Sequence, residues 1–351
     1  MLDLNDLPAI PALDRAAIDA ARARQNRLTK PLGSLGVLED LSVRIAGMTG
    51  LCPPSTAGLD NAVIFVFAAD HGIAKRGVSA YPPEVTAQMV LNYARGGAVI
   101  NSLARQMGAK LTVTDVGVDF DFPADLPINH CKVRKSSRDW STEPAMTPDE
   151  TAAAFTVGYD TVIAEQELGL MIVGEMGIGN TATAAALASA LLGLPAADIT
   201  GRGTGVEGEA LANKKRVVAQ AVDTLPKGLP AIDVLSRVGG LEIAAMTGAI
   251  IAAAGRRVPV LIDGFISSCA ALVAERIAPG VRDYLIASHR SQEAGHAAIL
   301  DALGLQPLLD LGMRLGEASG GALAIPLVRA AVNVLANVAT FDEAGVSDRP
   351  N

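Results

Sequence analysis

Aromatic residues make up only 3% of this 351-residue chain, and it holds just three cysteines and four histidines. Each shortage removes a class of explanation. Cys52, Cys131 and Cys269 are odd in number, widely separated and form no C-x-x-C pair, so neither a disulfide framework nor a zinc site is suggested, and a reducing cytoplasm fits best. His71, His130, His289 and His296 include no i, i+4 pair. The last two lie seven apart and would share a helical face, but they lack a third ligand, so no metal is expected. With 29 Lys+Arg against 37 Asp+Glu the formal charge is −8, and no basic run is interleaved with aromatics, which argues against a nucleic-acid partner. Long apolar runs are also scarce. Glu242 and Arg256 bracket Ile243 to Gly255, and Asp263 splits the next run, so neither approaches the roughly 20 residues that cross a bilayer. No membrane partner is expected, and the acidic amino terminus MLDLNDLPAI does not read as a secretory signal.

What the chain does have is apolar bulk in small pieces: half its residues are hydrophobic and 35 are glycine, a composition suited to close packing of helices on a sheet. Its length predicts one large domain with a smaller appendage. From Asp14 to Met48 two helical patterns flank the break Thr29 to Gly36. Ala62 to Ala69 is an almost unbroken apolar run, as expected of a strand buried on both faces. A helix is predicted over Pro83 to Met107 and a strand over Lys110 to Val118. Phe120 to Pro148, rich in Pro, Asp and Ser, reads as a long irregular excursion. Strands are predicted again over Leu168 to Val173, Arg257 to Ile262, Asp283 to Ala287 and Pro307 to Leu311. A final helix runs from Ala318 to Asn337, and the tail Asp342 to Asn351 reads as peripheral. This alternation predicts an α/β fold with a doubly wound parallel sheet, whose ligands sit beyond the carboxyl ends of the strands. Asp70-His71, Gly174-Glu175, Asp263-Gly264, Ser288 to Ser291 and Gly316-Glu317 all follow predicted strands, so one crevice would collect them.

The string Gly174-Glu175-Met176-Gly177-Ile178-Gly179-Asn180-Thr181 stands between an apolar run and the helix-former Ala182 to Leu192. A strand, a glycine turn and a helix in that order aim free backbone N–H groups at an anion. As a P-loop the string has Asn180 where the phosphate-reaching lysine belongs; as a dinucleotide fingerprint it is Gly177-x-Gly179-x-x-Ala182. It therefore points to a phosphate cradle without triphosphate chemistry. Gly201 to Gly205 with Lys214, and Ser319-Gly320-Gly321 at the last helix start, offer further donors, though glycine-rich turns also occur without ligands. Glu175 and Glu317 each follow a glycine before a helix. Such a carboxylate serves either as a helix-end partner or, in a nonpolar crevice, as a base whose proton affinity rises toward neutral pH. Asp70-His71 reads as a hydrogen-bonded strand end.

Taken together, TKPLGSLGVLE, ADHGIAKRGVSAYPPEVTAQMV, GEMGIGNTATAAAL, GRGTG, VGGLEIAAMTGAI, IDGFISSCAAL, SHRSQEAGH, GEASGGALAIPLVRAA and FDEAGVSD resemble the nicotinate-nucleotide–dimethylbenzimidazole phosphoribosyltransferase family over residues 29–348. The resemblance implies transfer of the 5-phosphoribosyl group from nicotinate mononucleotide to 5,6-dimethylbenzimidazole, giving α-ribazole 5′-phosphate and nicotinate for the lower-ligand nucleotide of cobalamin, without cofactor or metal. It implies Glu317 as catalytic base with Glu175 beside the reacting centre. Gly177, Asn180, Gly203, Lys214, Ser291 and Gly320 fall to the phosphoribosyl end, and Ser79, Tyr81, Gln88 and Met176 to the benzimidazole. It further implies a cytoplasmic homodimer with a Rossmann-like large domain, residues 56–315, and a small helical domain drawn from residues 1–55 and 316–351. The alternatives are the same transfer to adenine, a phenolic base or another benzimidazole, and a nucleotide-binding sensor without turnover.

Overall fold

A computed structural model of the chain describes residues 7–347; the first six residues and the end of the acidic tail, 348–351, lie outside the described residues. Six strands form one parallel sheet: β1 Ala62–Ala69, β2 Lys110–Gly117, β3 Asn129–His130, β4 Leu170–Met176, β5 Val260–Ile262 and β6 Leu285–Ala287, in the order β3-β2-β1-β4-β5-β6. Every residue of β1 and of β4 is buried, because helices cover both faces, and that is why both read as apolar runs. From β1 the chain adds β2 and β3 on one side, then returns to lay β4 on the other. Strand order therefore reverses between β1 and β4, and a crevice opens beyond their carboxyl ends.

The helix Leu241–Gly255 packs on β1, β2 and β4 and is buried over all but its last residue. Across it runs Pro148–Ala164, whose start is set by a capping box in which Thr147 and Glu150 satisfy each other's backbone N–H groups. These two helices meet through glycine. A Cβ on Gly158 would overlap the Ala245 carbonyl oxygen, and one on Gly248 would overlap that of Phe155. Ser319–Asn337, the expected final helix, is the one helix among the described residues long and apolar enough to cross a bilayer. Its apolar face is spent inside the protein: Ala322, Ala324, Ile325, Val328 and Val332 belong to the main core.

Described segments near the two ends of the chain meet. Arg15–Gln25 and Val37–Thr49 pack together, and Ala17, Ala21, Val43, Ala46 and Leu335 form a small core of their own. Leu28 pairs antiparallel with Thr340, the Arg24 Nε donates to the Leu335 carbonyl at 2.8 Å, and Arg27 pairs with Asp342. The tail as far as Phe341–Ala344 is thus fastened to the first helix.

Four sequence expectations are corrected. The helix over Pro83 to Met107 is two helices, Val85–Ala94 and Val99–Met107, because Gly96 takes φ 77° and breaks the turn. Pro307 to Leu311 forms no strand; a single parallel bridge joins Leu309 to His289, and Asp310 and Leu311 are exposed. Residues Val281–Tyr284 are a 3₁₀ turn, leaving only Leu285–Ala287 as β6. Gly174 and Glu175 do not follow β4 but lie within it, opposite Val66 and Phe67. Inside the Phe120 to Pro148 excursion, Asn129–His130 adds an edge strand.

Gly158→Ala should lower stability by about 1–3 kcal/mol through overpacking, read by denaturant unfolding, while an alanine at exposed Gly193, whose Cβ would meet no neighbour, carries only its backbone strain. A silent Gly158→Ala would show that the two helices are not held at contact distance.

Candidate active site

Beyond the carboxyl ends of β4, β5 and β6 lies a cavity of about 660 Å³. β4 delivers Glu175 and Met176 to it, and the turn that follows delivers Gly177, Ile178, Asn180 and Thr181. Asp263 enters from the end of β5, His289 and Ser291 from the end of β6, and Gly203 and Thr204 from a glycine loop. Arg314 to Glu317 close the side formed by the start of the last helix. Tyr81, Val85, Met89, Phe265, Ile266 and Leu315 make the apolar end.

The glycine turn does what its residue types allow. Gly179 caps the Asn180–Leu192 helix at φ 100°, and no side chain caps that helix start. The Asn180 N–H is donated to the Gly177 carbonyl at 3.1 Å and the Ala182 N–H to the Gly179 carbonyl at 3.0 Å, which leaves the Thr181 amide as the helix-start donor without a backbone partner at the cavity wall. The Asn180 amide turns instead toward Glu175, donating from Nδ2 to Oε2. Below the turn, Trp140 Nε1 donates to Thr183 Oγ1 at 3.1 Å, Thr183 Oγ1 is hydrogen-bonded to His71 Nδ1 at 3.0 Å, and His71 Nε2 is hydrogen-bonded to Glu242 Oε1 at 2.7 Å. The Asp70 carboxylate does not meet His71; its Oδ2 accepts from the Asp119 amide. That matches a strand-end reading of Asp70-His71, with Glu242 as the unforeseen partner.

Four carboxyl groups line the crevice, those of Glu175, Asp263, Glu293 and Glu317, and burial raises the proton affinity of Glu175, Asp263 and Glu317. Burial, then the charges of Glu242 and Asp263, push Glu175 up to about 8 against the hydrogen bond from Asn180. Burial likewise pushes Asp263 up to about 7, opposed by the amides of Gly321, Gly320 and Ala318. Glu317 is raised by burial, with the Tyr93 hydroxyl and the Ile100 amide pulling the other way. Tyr93 lies beside Glu317, yet neither its hydroxyl nor Glu317 Oε2 completes a hydrogen bond. Gly316 makes the approach of the two glutamates possible: a Cβ there would stand 2.6 Å from Glu175 Oε1. Burial and crowding thus raise the proton affinity of these three, most clearly that of Glu175.

The structure brings Glu175, Met176, Gly177, Asn180, Gly203, Ser291, Glu317 and Tyr81 together on the cavity wall. It sets four expected residues outside that wall. Lys214 is buried behind it, with Nζ donating to Thr181 Oγ1 at 2.8 Å, and desolvation draws its ammonium down to about 8. Ser79 acts through Thr204, Oγ to Oγ1 at 3.0 Å. The Gly320 N–H is already donated to Asp263 Oδ1 at 2.7 Å, so it is not a free donor for a ligand. Gln88 is exposed, since Val85 and Met89 occupy the inward face of its helix. Sequence reasoning passed over Arg314, which donates to the Gly203 carbonyl at 3.0 Å, and Tyr93; the spacing of Val85, Met89 and Tyr93, one helical face, is the signal that would have found the second. Among the described residues no cluster of three His, Cys, Asp or Glu could hold a metal ion.

Comparison with known proteins gives a consistent result. A family model described as Phosphoribosyltransferase matches residues 10–346. A nicotinate-nucleotide–dimethylbenzimidazole phosphoribosyltransferase of Chloroflexus aggregans is 51% identical over 97% of this chain and 96% of its own length. One from Geobacter sulfurreducens is 48% identical over 97% of each. The crystal structure of CobT from Thermus thermophilus superposes with a TM-score of 0.91 at 44% identity, covering 95% of this chain and all of that one. This chain belongs to the phosphoribosyltransferase family whose relatives carry the name nicotinate-nucleotide–dimethylbenzimidazole phosphoribosyltransferase.

Proposed function

We propose that this enzyme transfers the 5-phosphoribosyl group of nicotinate mononucleotide to 5,6-dimethylbenzimidazole, releasing nicotinate and forming α-ribazole 5′-phosphate for the lower-ligand nucleotide of cobalamin. The observation that carries this reading is a single cavity in which an uncapped helix start at Asn180 faces two carboxyl groups of raised proton affinity, Glu175 and Glu317. The first suits a phosphate and the second a reaction that develops positive charge and must remove a proton.

On this reading a benzimidazole nitrogen attacks the anomeric carbon as the bond to the pyridinium nitrogen breaks. The pyridinium takes the bonding electrons and leaves as a neutral ring, so the leaving group needs no proton. The attacking ring becomes cationic, and Glu317 removes the proton from its other nitrogen. Glu175 stands by the oxocarbenium-like centre, where a nearby cation favours its ionised form. Gly177, Asn180, Gly203 and Ser291 hold the phosphoribosyl end. Lys214 supports it through Thr181, and Arg314 adds a charge at its rim. Tyr81 and Met176, with Val85 and Met89, hold the flat base, and Ser79 orders Thr204 beside them.

The chain ends, to residue 55 and from 316, form the small domain in this account, supported by the separate core around Ala17, Val43 and Leu335. Exposure of Leu32 and Leu35 in the turn before the second helix, and of Val37 at that helix's first position, supports a homodimer, and three free cysteines support a reducing, cytoplasmic setting.

Purified protein given both substrates should yield α-ribazole 5′-phosphate and nicotinate by liquid chromatography and mass spectrometry; absence of both products would overturn the reading. Glu317→Gln should keep the fold and lower kcat by about 10²-fold or more. The base works ionised, and burial raises its pKa above the ordinary 4.5, so kcat/KM should fall on acidification along a limb centred above that value; a limb at or below it would contradict the role. Lys214→Ala should raise KM for nicotinate mononucleotide more than for dimethylbenzimidazole, and equal changes would count against a phosphate-end position.

A further inference from the structure

Glu317 stands on strained backbone. Its φ is 61° and that of Ala318 is 65°, two successive non-glycine residues in the left-handed region, each at a penalty of roughly 1–2 kcal/mol. Such a turn persists only where its surroundings over-determine it. Three contacts do so. Ala318 sits against β4, where a Cβ on Gly174 would collide with its backbone nitrogen. Ser319 N donates back to the Gly316 carbonyl at 3.0 Å. Beyond the turn, Asp263 Oδ1 accepts from Gly320 N at 2.7 Å and from Gly321 N at 3.0 Å.

The third contact is unusual in its source. The helix Ser319–Asn337 has Ala318 at its N-cap position and no local side chain to cap it. A carboxylate from the end of β5, 57 positions away in sequence, takes that place, so the sheet itself grips the first turn. Asp263 is 2% exposed and His289 closes over it, Nδ1 at 3.7 Å from Oδ1, with the His289 ring filling the space that a Cβ on Gly320 would need. The pair Gly320-Gly321 thereby acquires a structural reason: it lets the helix start touch both His289 and Ile172 of β4.

We infer that Asp263 is a positioning residue for Glu317: its carboxylate anchors the helix start to β5 and so holds the strained Glu317-Ala318 turn with the base aimed into the cavity. This rests on the reading of Glu317 as the base. Asp263 acts on turnover chiefly through the placement of Glu317, so most of the effect of its loss should be felt only while Glu317 is working.

The test pairs a kinetic cycle with a readout that needs no turnover. Asp263→Ala should lower kcat about 10²-fold, the scale of a misplaced catalytic group, with little change in KM for nicotinate mononucleotide. In a Glu317→Gln background the same substitution should lower kcat by less than about 3-fold further, because the two act as one unit. Asp263→Asn keeps an oxygen that accepts both amides and should stay within about 10-fold of wild type. Hydrogen exchange of residues 316–321 should speed up in Asp263→Ala and not in Asp263→Asn. Multiplicative losses in the double variant, unchanged exchange in Asp263→Ala, or a folded Asp263→Asn as poor as Glu317→Gln would each overturn the inference. Should Asp263→Ala not fold, the Asp263→Asn activity and exchange decide it. If wild type forms no product, the functional reading fails on its own, and the exchange arm alone decides whether Asp263 anchors the turn.

Discussion

Glu175, Asp263 and Glu317 are carried by the fold to the buried wall of one crevice, and most of the site can be understood as the consequence of that crowding. Each is under a tenth exposed. Three ionised carboxylates at such a place would repel one another and forgo hydration, so the crevice by itself favours their neutral forms. The local hydrogen bonds temper this without reversing it: Asn180 donates to Glu175, two glycine amides to Asp263, and Tyr93 lies beside Glu317. The arrangement is therefore poised for a positive charge. A pyridinium nucleotide, and still more the oxocarbenium character that develops as its glycosidic bond breaks, supplies the missing counter-charge where the carboxyl groups converge.

Close backbone approach is the second requirement, and glycine provides it. Gly316 lets its turn come against Glu175, Gly174 lets β4 come against Ala318, and Gly177 lies where a Cβ would press on both the Ala69 carbonyl and the His71 ring. The buried chain from Trp140 through Thr183 and His71 to Glu242 then stiffens the floor beneath the glycine turn after β4. Glu242 contributes twice, as the partner that orients His71 and as a charge that raises Glu175. Structure and electronics in this site are not separable layers.

The parts of the fold that could be read in the sequence are those where burial is uniform. β1 and β4 are covered on both faces, so their apolar runs had one interpretation, and the clustering of Glu175, Asp263 and His289 at the carboxyl ends of β4, β5 and β6 follows from the parallel topology, whereas Glu317 reaches the crevice on the loop before the last helix. The misreadings occur where local pattern and tertiary context part. Gly96 and Gly97 split a continuous helical pattern; Leu308 and Leu309 are apolar but have no sheet to join beyond one bridge. Gln88 belongs to a matching motif, yet a helix has one inward face, and Val85, Met89 and Tyr93 occupy it. Lys214 and Gly320 show a different limit: residue type says that each could meet a phosphate, whereas only the folded chain turns one to Thr181 and binds the other to Asp263.

The claim on which the account turns is that the crevice holds protons that the substrate's positively charged pyridinium nitrogen expels. Titration calorimetry of nicotinate mononucleotide binding near pH 7.5, repeated in buffers of different ionisation enthalpy, measures this directly. With Glu175 at about 8, the wild-type protein should release protons to the buffer on binding, and Glu175→Gln should release markedly fewer. Heats that do not depend on the buffer, or a release that Glu175→Gln leaves unchanged, would contradict the account.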